Sequence, residues 1–237
     1  VERYVGELVG SSSHRRGDPE KEVPKWLRHG APTGYEDSNP IVPNGIFPAV
    51  SEATAAVEES RTYAEMNQHA EFAPSDHRNY KSYYEYEQLS EKEVQRLEAL
   101  RYVVVFVTWV QVLAKWSYAV ATKLASIVKT RADGSTKLRF VMDLLRSGVN
   151  GRGWCRERVV LPRLTDFVNS ALDIMVAVWS FHGPEHVMSH VGFLVVDFSD
   201  AFYLIHAAPK EQGWLVFKCA AGWAVFQRIC FGMVTAP

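Results

Sequence analysis

Cysteine is scarce in this chain. Three residues in 237, odd in number and without metal-ligand spacing, do not make a disulfide framework. Cys155, Cys219 and Cys230 therefore read as reduced thiols of an intracellular protein, cytoplasmic or nuclear. A strong charge of one sign is missing too, since 26 Lys and Arg stand against 27 Asp and Glu. Long hydrophobic runs are also lacking. The longest, residues 102–114, is too short to span a bilayer and contains Thr108 and Gln111. The first residues are mixed and charged, with no signal-peptide pattern, so no membrane partner is expected. No internal repeat occurs.

What is present is uneven. Residues 1–100 hold 11 Lys/Arg and 18 Asp/Glu, whereas residues 101–237 hold 15 and 9. Between Lys115 and Arg163 the 11 basic residues face only Asp133, Asp143 and Glu157. A basic stripe of this kind is the footprint of a polyanion partner, although a solvated face produces the same count.

Residues 1–88 are rich in Pro, Gly, Ser, Glu and Tyr and lack a sustained period. They read as a partly disordered extension with short helices, one near residues 53–68 and one over Lys25-Trp-Leu-Arg-His-Gly30. Arg16-Gly-Asp18 matches an adhesion tripeptide, a meaning set aside in a chain with no secretion signal. Ser90-Glu-Lys-Glu93 has the form of a capping box and predicts a helix from Glu91 to about Arg101. Residues 102–112 suit either a strand or a buried helix, and periodicity does not choose between them.

Next comes a hairpin. Residues 124–131 and 137–144 flank Ala132-Asp-Gly-Ser135, a turn with an Asp-Gly signal. On the return strand Lys137, Arg139, Val141 and Asp143 share one face, and Leu138, Phe140, Met142 and Leu144 the other. Residues 164–175 predict an amphipathic helix with Leu164, Phe167, Val168, Ala171 and Leu172 inward. Residues 191–198 predict a central strand. Residues 214–218 and 223–229 predict a second hairpin. His182, His186 and His190 are four apart, but Gly183 and Pro184 oppose a helix there and no Cys completes a zinc set.

The strongest chemical signal is Gly192-Phe-Leu-Val-Val-Asp197-Phe-Ser-Asp-Ala-Phe202. A buried strand that ends in a carboxylate is costly unless a cation meets it. Asp197, joined by the Phe198 carbonyl, offers hard oxygen ligands to Mg²⁺ or Mn²⁺. Asp200 either assists or caps the following turn. Arg131, Lys137 and Arg139 cluster around the hairpin turn, where the planar fork of arginine suits phosphate.

Three stretches together resemble the fingers and first palm motif of reverse transcriptases of the long-terminal-repeat retrotransposon and retroviral type. They are Lys129-Thr-Arg through Arg146-Ser-Gly-Val-Asn150, Val160-Leu-Pro-Arg-Leu-Thr-Asp166, and residues 193–237 with Asp-x-x-x-Ala-Phe and Phe231-Gly-Met-Val-Thr-Ala-Pro237. The resemblance covers about residues 89–237. It implies an α+β fold, a right-hand polymerase's fingers and partial palm. It divides the chain into an extension (1–88), a fingers-like segment (89–165), a partial palm (166–207) and a second fingers-like hairpin (208–237). The function implied is RNA-directed DNA polymerisation by a mobile-element nucleotidyltransferase. The implied partners are an RNA/DNA template-primer and a deoxynucleoside triphosphate.

By that resemblance Asp197 is the first metal-binding aspartate, and Phe202 is the steric gate that excludes a 2′-hydroxyl. Ala201 leaves room for the sugar, and the Asp200 and Ala201 amides face the triphosphate. Arg139 grips the α-phosphate side and Arg131 the γ side. Phe231 and Gly232 lie near the incoming base, and Arg152, Arg156, Arg158 and Arg163 touch template backbone. The sequence departs from the family at Leu145, at Ile229-Cys230 and at an inserted Gly134. With Leu145 in place of the usual arginine, the Asp143 ion-pair network is lost or moves to Arg146. These residues contain no aromatic-x-Asp-Asp turn. The expectation is therefore that they do not sustain catalysis on their own, because one aspartate does not hold two cations. Two rival readings are a non-catalytic nucleic-acid-binding remnant and an unrelated α+β interaction domain.

Overall fold

A computed structural model describes residues 22–36, 41–43, 45, 47–50, 76–153, 157, 163–183 and 200–234. The chain divides into two compact units, residues 1–158 with 200–237, and residues 159–199.

The larger unit is α+β. Helix α1 (Val23–His29) is closed by Gly30 at φ +90°, as the Lys25–Gly30 pattern predicts. Helices α2 (Lys81–Glu85) and α3 (Glu87–Ala99) lead into strand β1 (Val103–Phe106) and helix α4 (Trp109–Lys115). The ambiguous run is thus both strand and helix, and Thr108 separates them. Its Oγ1 accepts from Gln111 N–H at 3.3 Å, while Gln111 Oε1 accepts from Thr108 N–H at 3.1 Å, a reciprocal cap.

The helix expected to start at Glu91 starts at Glu87 instead. Ser90 lies inside it and is fully buried. Its hydroxyl faces the Tyr83 carbonyl at 3.2 Å and the Ser126 hydroxyl at 2.8 Å. The Ser-x-x-Glu spacing is therefore no cap. Ser90 joins α3 to strand β2.

Strands β2 (Leu124–Thr130) and β3 (Thr136–Met142) form the expected hairpin. Its apolar face is buried at Phe140, Met142 and Leu144, and Lys137 and Arg139 stay exposed. Two 3₁₀ turns, Ala201–Leu204 and Pro209–Trp214, precede strands β4 (Val216–Cys219) and β5 (Gly222–Phe226). These form an antiparallel sheet in the order β1-β5-β4.

The sheet is covered on both sides. Val104, Phe106, Trp223 and Val225 pack with Val112 and Trp116 of α4 and its flank. Val103, Ala224 and Phe226 pack on the other side with Val94 and Leu97 of α3. A strand buried on both faces has no polar side to alternate with, so residues 102–112 show no readable period. Cys219 and Cys230 are free and buried in this core. Burial pushes the Cys219 thiol up to about 11.

In the smaller unit the described part is helix α5 (Leu164–His182), longer than the predicted 164–175. The side expected to face inward is not covered. Leu164, Phe167, Val168 and Leu172 are exposed. By length and composition (19 residues, mean hydropathy 1.2) α5 could cross a membrane, and among the described residues it is the one helix that passes this test. Residues 53–68, the Arg16-Gly-Asp18 tripeptide, Cys155, His186, His190 and the strand expected at 191–198 lie outside the described residues.

Candidate functional site

The β2–β3 register sets where the charges fall. Lys129 pairs with Lys137, and Ile127 with Arg139. Alternation puts all four on one face. Two lysines directly opposite each other repel, and an anion between them would remove that cost. At the tip, Arg131 N–H donates to the Ser135 carbonyl at 2.8 Å, and Gly134 N–H donates to the Arg131 carbonyl at 3.0 Å. Asp133 accepts from Ser135 N–H at 2.8 Å. The Ser135 side chain and backbone hold its carboxyl below the usual range, and the Arg131 charge adds to this. Asp133 is thereby committed to closing the turn.

Farther down β3 the hairpin meets the two late segments of the chain. The Arg139 guanidinium lies over the Phe231 ring, 5.9 Å from its centroid. Phe202 meets Phe231 edge-on at 4.5 Å, and Tyr203 approaches the same ring at 6.4 Å. The backbone fixes Phe231 there, because its carbonyl accepts from Met142 N–H at 3.0 Å. Gly232 follows at φ +108°, and a Cβ on it would lie 2.0 Å from the Met142 carbonyl oxygen. Only glycine lets the loop lie this close to β3. Asn150 completes the clamp. Its Nδ2 donates to the Gly232 carbonyl at 2.8 Å, and its Oδ1 accepts from Val234 N–H at 2.9 Å.

Asp200 opens the Ala201–Leu204 turn at φ +56° and makes no side-chain cap there. Its carboxylate accepts from Arg96 Nη1 at 2.9 Å. Arg96 also grips Glu93 through Nε and Nη2, both at 2.8 Å. Glu93 first, and Asp200 with it, push the Arg96 pKa above its ordinary value. Asp200 is thus tied to α3, a partner that nothing in the sequence announced. Ala201 is exposed and Phe202 half-buried.

Asp143 accepts from Arg146 N–H at 3.0 Å and from the Tyr80 hydroxyl. Burial first, then the Asp143 carboxylate, pushes the Tyr80 phenol up. Arg152 does not join the hairpin group. Its guanidinium stacks over Trp214 at 4.5 Å, and its Nε donates to the Tyr35 carbonyl at 3.4 Å. In the smaller unit Arg163 pairs with Asp166 at 3.1 Å. Asp197, Phe198, Arg156 and Arg158 lie outside the described residues. Among the described residues no group of three or more His, Cys, Asp or Glu is placed to hold a metal ion.

Sequence reasoning also missed residues 31–36, which form a strap within the larger unit. Ala31 N–H donates to the His206 carbonyl at 2.7 Å, and Ala208 N–H donates to the Ala31 carbonyl at 2.9 Å. Glu211, fully buried, accepts from Thr33 N–H at 2.9 Å and from Glu36 N–H at 3.3 Å. Tyr35, 1% exposed, donates its hydroxyl to Asn150 Oδ1 at 2.8 Å. This stretch has no periodicity, and nothing local marks Tyr35 or Glu211 as partners. Set against models of known protein families, curated proteins and solved structures, the chain matches none of them.

Proposed function

We propose that this chain carries the nucleotide-binding fingers and first palm motif of a reverse-transcriptase-type polymerase. Its ligands are then a deoxynucleoside triphosphate and an RNA or DNA template-primer. What supports the reading is the meeting of Arg139, from the first of the resembling stretches, with Phe231 and Phe202, 29 residues apart in the third. An exposed guanidinium over an aromatic ring offers a phosphate grip and a base-facing wall together. The opposed Lys129 and Lys137 on the same hairpin face add positive charge that a triphosphate chain would relieve.

In this reading Arg139, Lys137 and Arg131 hold the phosphate chain. Phe231 and the Gly232 backbone flank the base. Phe202 lies under the sugar, where a rigid ring leaves no room for a 2′-oxygen. By the same resemblance, Asp197 with the Phe198 carbonyl would hold a divalent cation, Mg²⁺ or Mn²⁺, whose chemistry is charge neutralisation of phosphate.

The test is equilibrium binding of a fluorescent deoxynucleoside triphosphate and its ribonucleotide counterpart in Mg²⁺. A preference for the deoxynucleotide is expected, reduced in Phe202→Ala. Affinity for both should fall about tenfold or more in Arg139→Ala, as for loss of a charge-assisted contact. Indifference of both ligands to both substitutions overturns the proposal. Salt-sensitive binding of single strands with no nucleotide binding would favour the non-catalytic remnant instead.

A further inference from the structure

We propose that Tyr35 is a positioning residue for loop 231–234 and acts through Asn150. The meaning of that loop rests on the nucleotide-binding reading above, but the mechanical claim does not. Asn150 Oδ1 accepts two donors, the Tyr35 hydroxyl at 2.8 Å and Val234 N–H at 2.9 Å, while its Nδ2 donates to the Gly232 carbonyl at 2.8 Å. A side-chain amide can rotate and exchange its oxygen and nitrogen positions. The Val234 N–H and the Gly232 carbonyl fix which end of the amide faces which, and the Tyr35 hydroxyl, a second donor to the same oxygen, holds the amide in that place.

The hydroxyl is itself held in place. The Tyr35 ring is buried, and a Cβ on Gly153 would lie 2.6 Å from it, so the ring fills the space that glycine leaves. The same Cβ would stand 3.1 Å from Val234, so Gly153 lets the strap and the loop close over one another. Glu211 accepts the backbone N–H groups of Thr33 and Glu36 on either side of Tyr35. The Trp214 indole donates to Glu36 Oε1 at 2.9 Å. The strap is therefore anchored on both sides of the residue that reaches the loop. Phe231 precedes Gly232 directly, so Asn150 holds the loop just beyond the residue whose ring stands against Arg139, and Met142 N–H holds the Phe231 carbonyl itself.

The test uses the full chain with Tyr35→Phe, which keeps the buried ring and removes only the donor. Amide hydrogen exchange of Val234 should quicken about fivefold, as for one lost hydrogen bond, while Val225 in β5 keeps its rate. Affinity for a deoxynucleoside triphosphate should weaken about fivefold, while affinity for inorganic tripolyphosphate, which needs only the hairpin cations, stays unchanged. Glu211→Gln, which weakens the anchor, should move Val234 exchange in the same direction. If Val234 exchange in Tyr35→Phe equals wild type, or if Val225 quickens equally so that the effect is global, the positioning role is overturned. A wild-type chain that binds no nucleotide sinks the proposed function alone, because the exchange measurement still decides the role of Tyr35.

Discussion

The Arg139 guanidinium stands 5.9 Å from the centre of the Phe231 ring, one residue on the exposed face of a hairpin strand and the other in the last described loop. An exposed contact of this type contributes only about 0.5–1 kcal/mol. It does not hold the fold together. Its interest is that it leaves an exposed guanidinium next to an aromatic ring, where a ligand could meet both.

Arg139→Ala should therefore cost no more than about 1 kcal/mol of stability. Its effect should appear in triphosphate binding. Arg139→Lys should recover part of that binding, since it keeps the charge but loses the planar fork. Urea titration and nucleotide titration, run in parallel, check the two halves. A large loss of stability in Arg139→Ala would mean that the residue is structural.

Gly232→Ala should destabilise by about 2–3 kcal/mol, because positive φ and a clash with the Met142 carbonyl act together. Gly134→Ala provides the contrast. It also has positive φ, +78°, but nothing lies within 4 Å of the added carbon, so about 1 kcal/mol is expected. Urea unfolding midpoints of the two variants should rank accordingly.

Ser90 and Ser126 form a buried hydroxyl pair at 2.8 Å. Either serine changed to alanine leaves the other without this partner, at a cost of about 1–2 kcal/mol. The double variant should cost less than the sum of the singles, because no stranded hydroxyl remains. A double-mutant cycle by chemical denaturation reads the coupling, and strict additivity would deny the pair any energetic role.

His77 is buried against Trp223, with a ring nitrogen 3.2 Å from the Thr122 carbonyl. Burial is the main cause of its lowered pKa. Lys123 and Lys218 lower it further, and the Thr122 hydrogen bond partly opposes them. The unfolded chain therefore takes up a proton at a higher pH than the folded one does. Stability from this residue is present above about 6.5 and is lost as pH falls through the depressed value. Unfolding free energy should decline on acidification below that point, and the decline should flatten in His77→Gln. An unchanged slope would assign the acid sensitivity to other groups.

The sequence by itself determined the local features. Asp-Gly between two alternating runs specified the β2–β3 hairpin and its buried face, because turn chemistry and two-residue alternation act between near neighbours. Gly30 marked the end of α1 for the same local reason. The tertiary structure decided the rest. Ser90 spells a cap in the sequence, yet it is a buried link to Ser126, because α2 and β2 pack over it. Residues 102–112 divide at Thr108 into strand and helix, and sheet burial on both faces erases the period that would have shown it. The pairings Arg96–Asp200, Tyr35–Asn150 and Arg139–Phe231 join residues far apart in the chain. Such contacts depend on how the chain closes on itself, a non-local matter that no nearby residue pattern encodes.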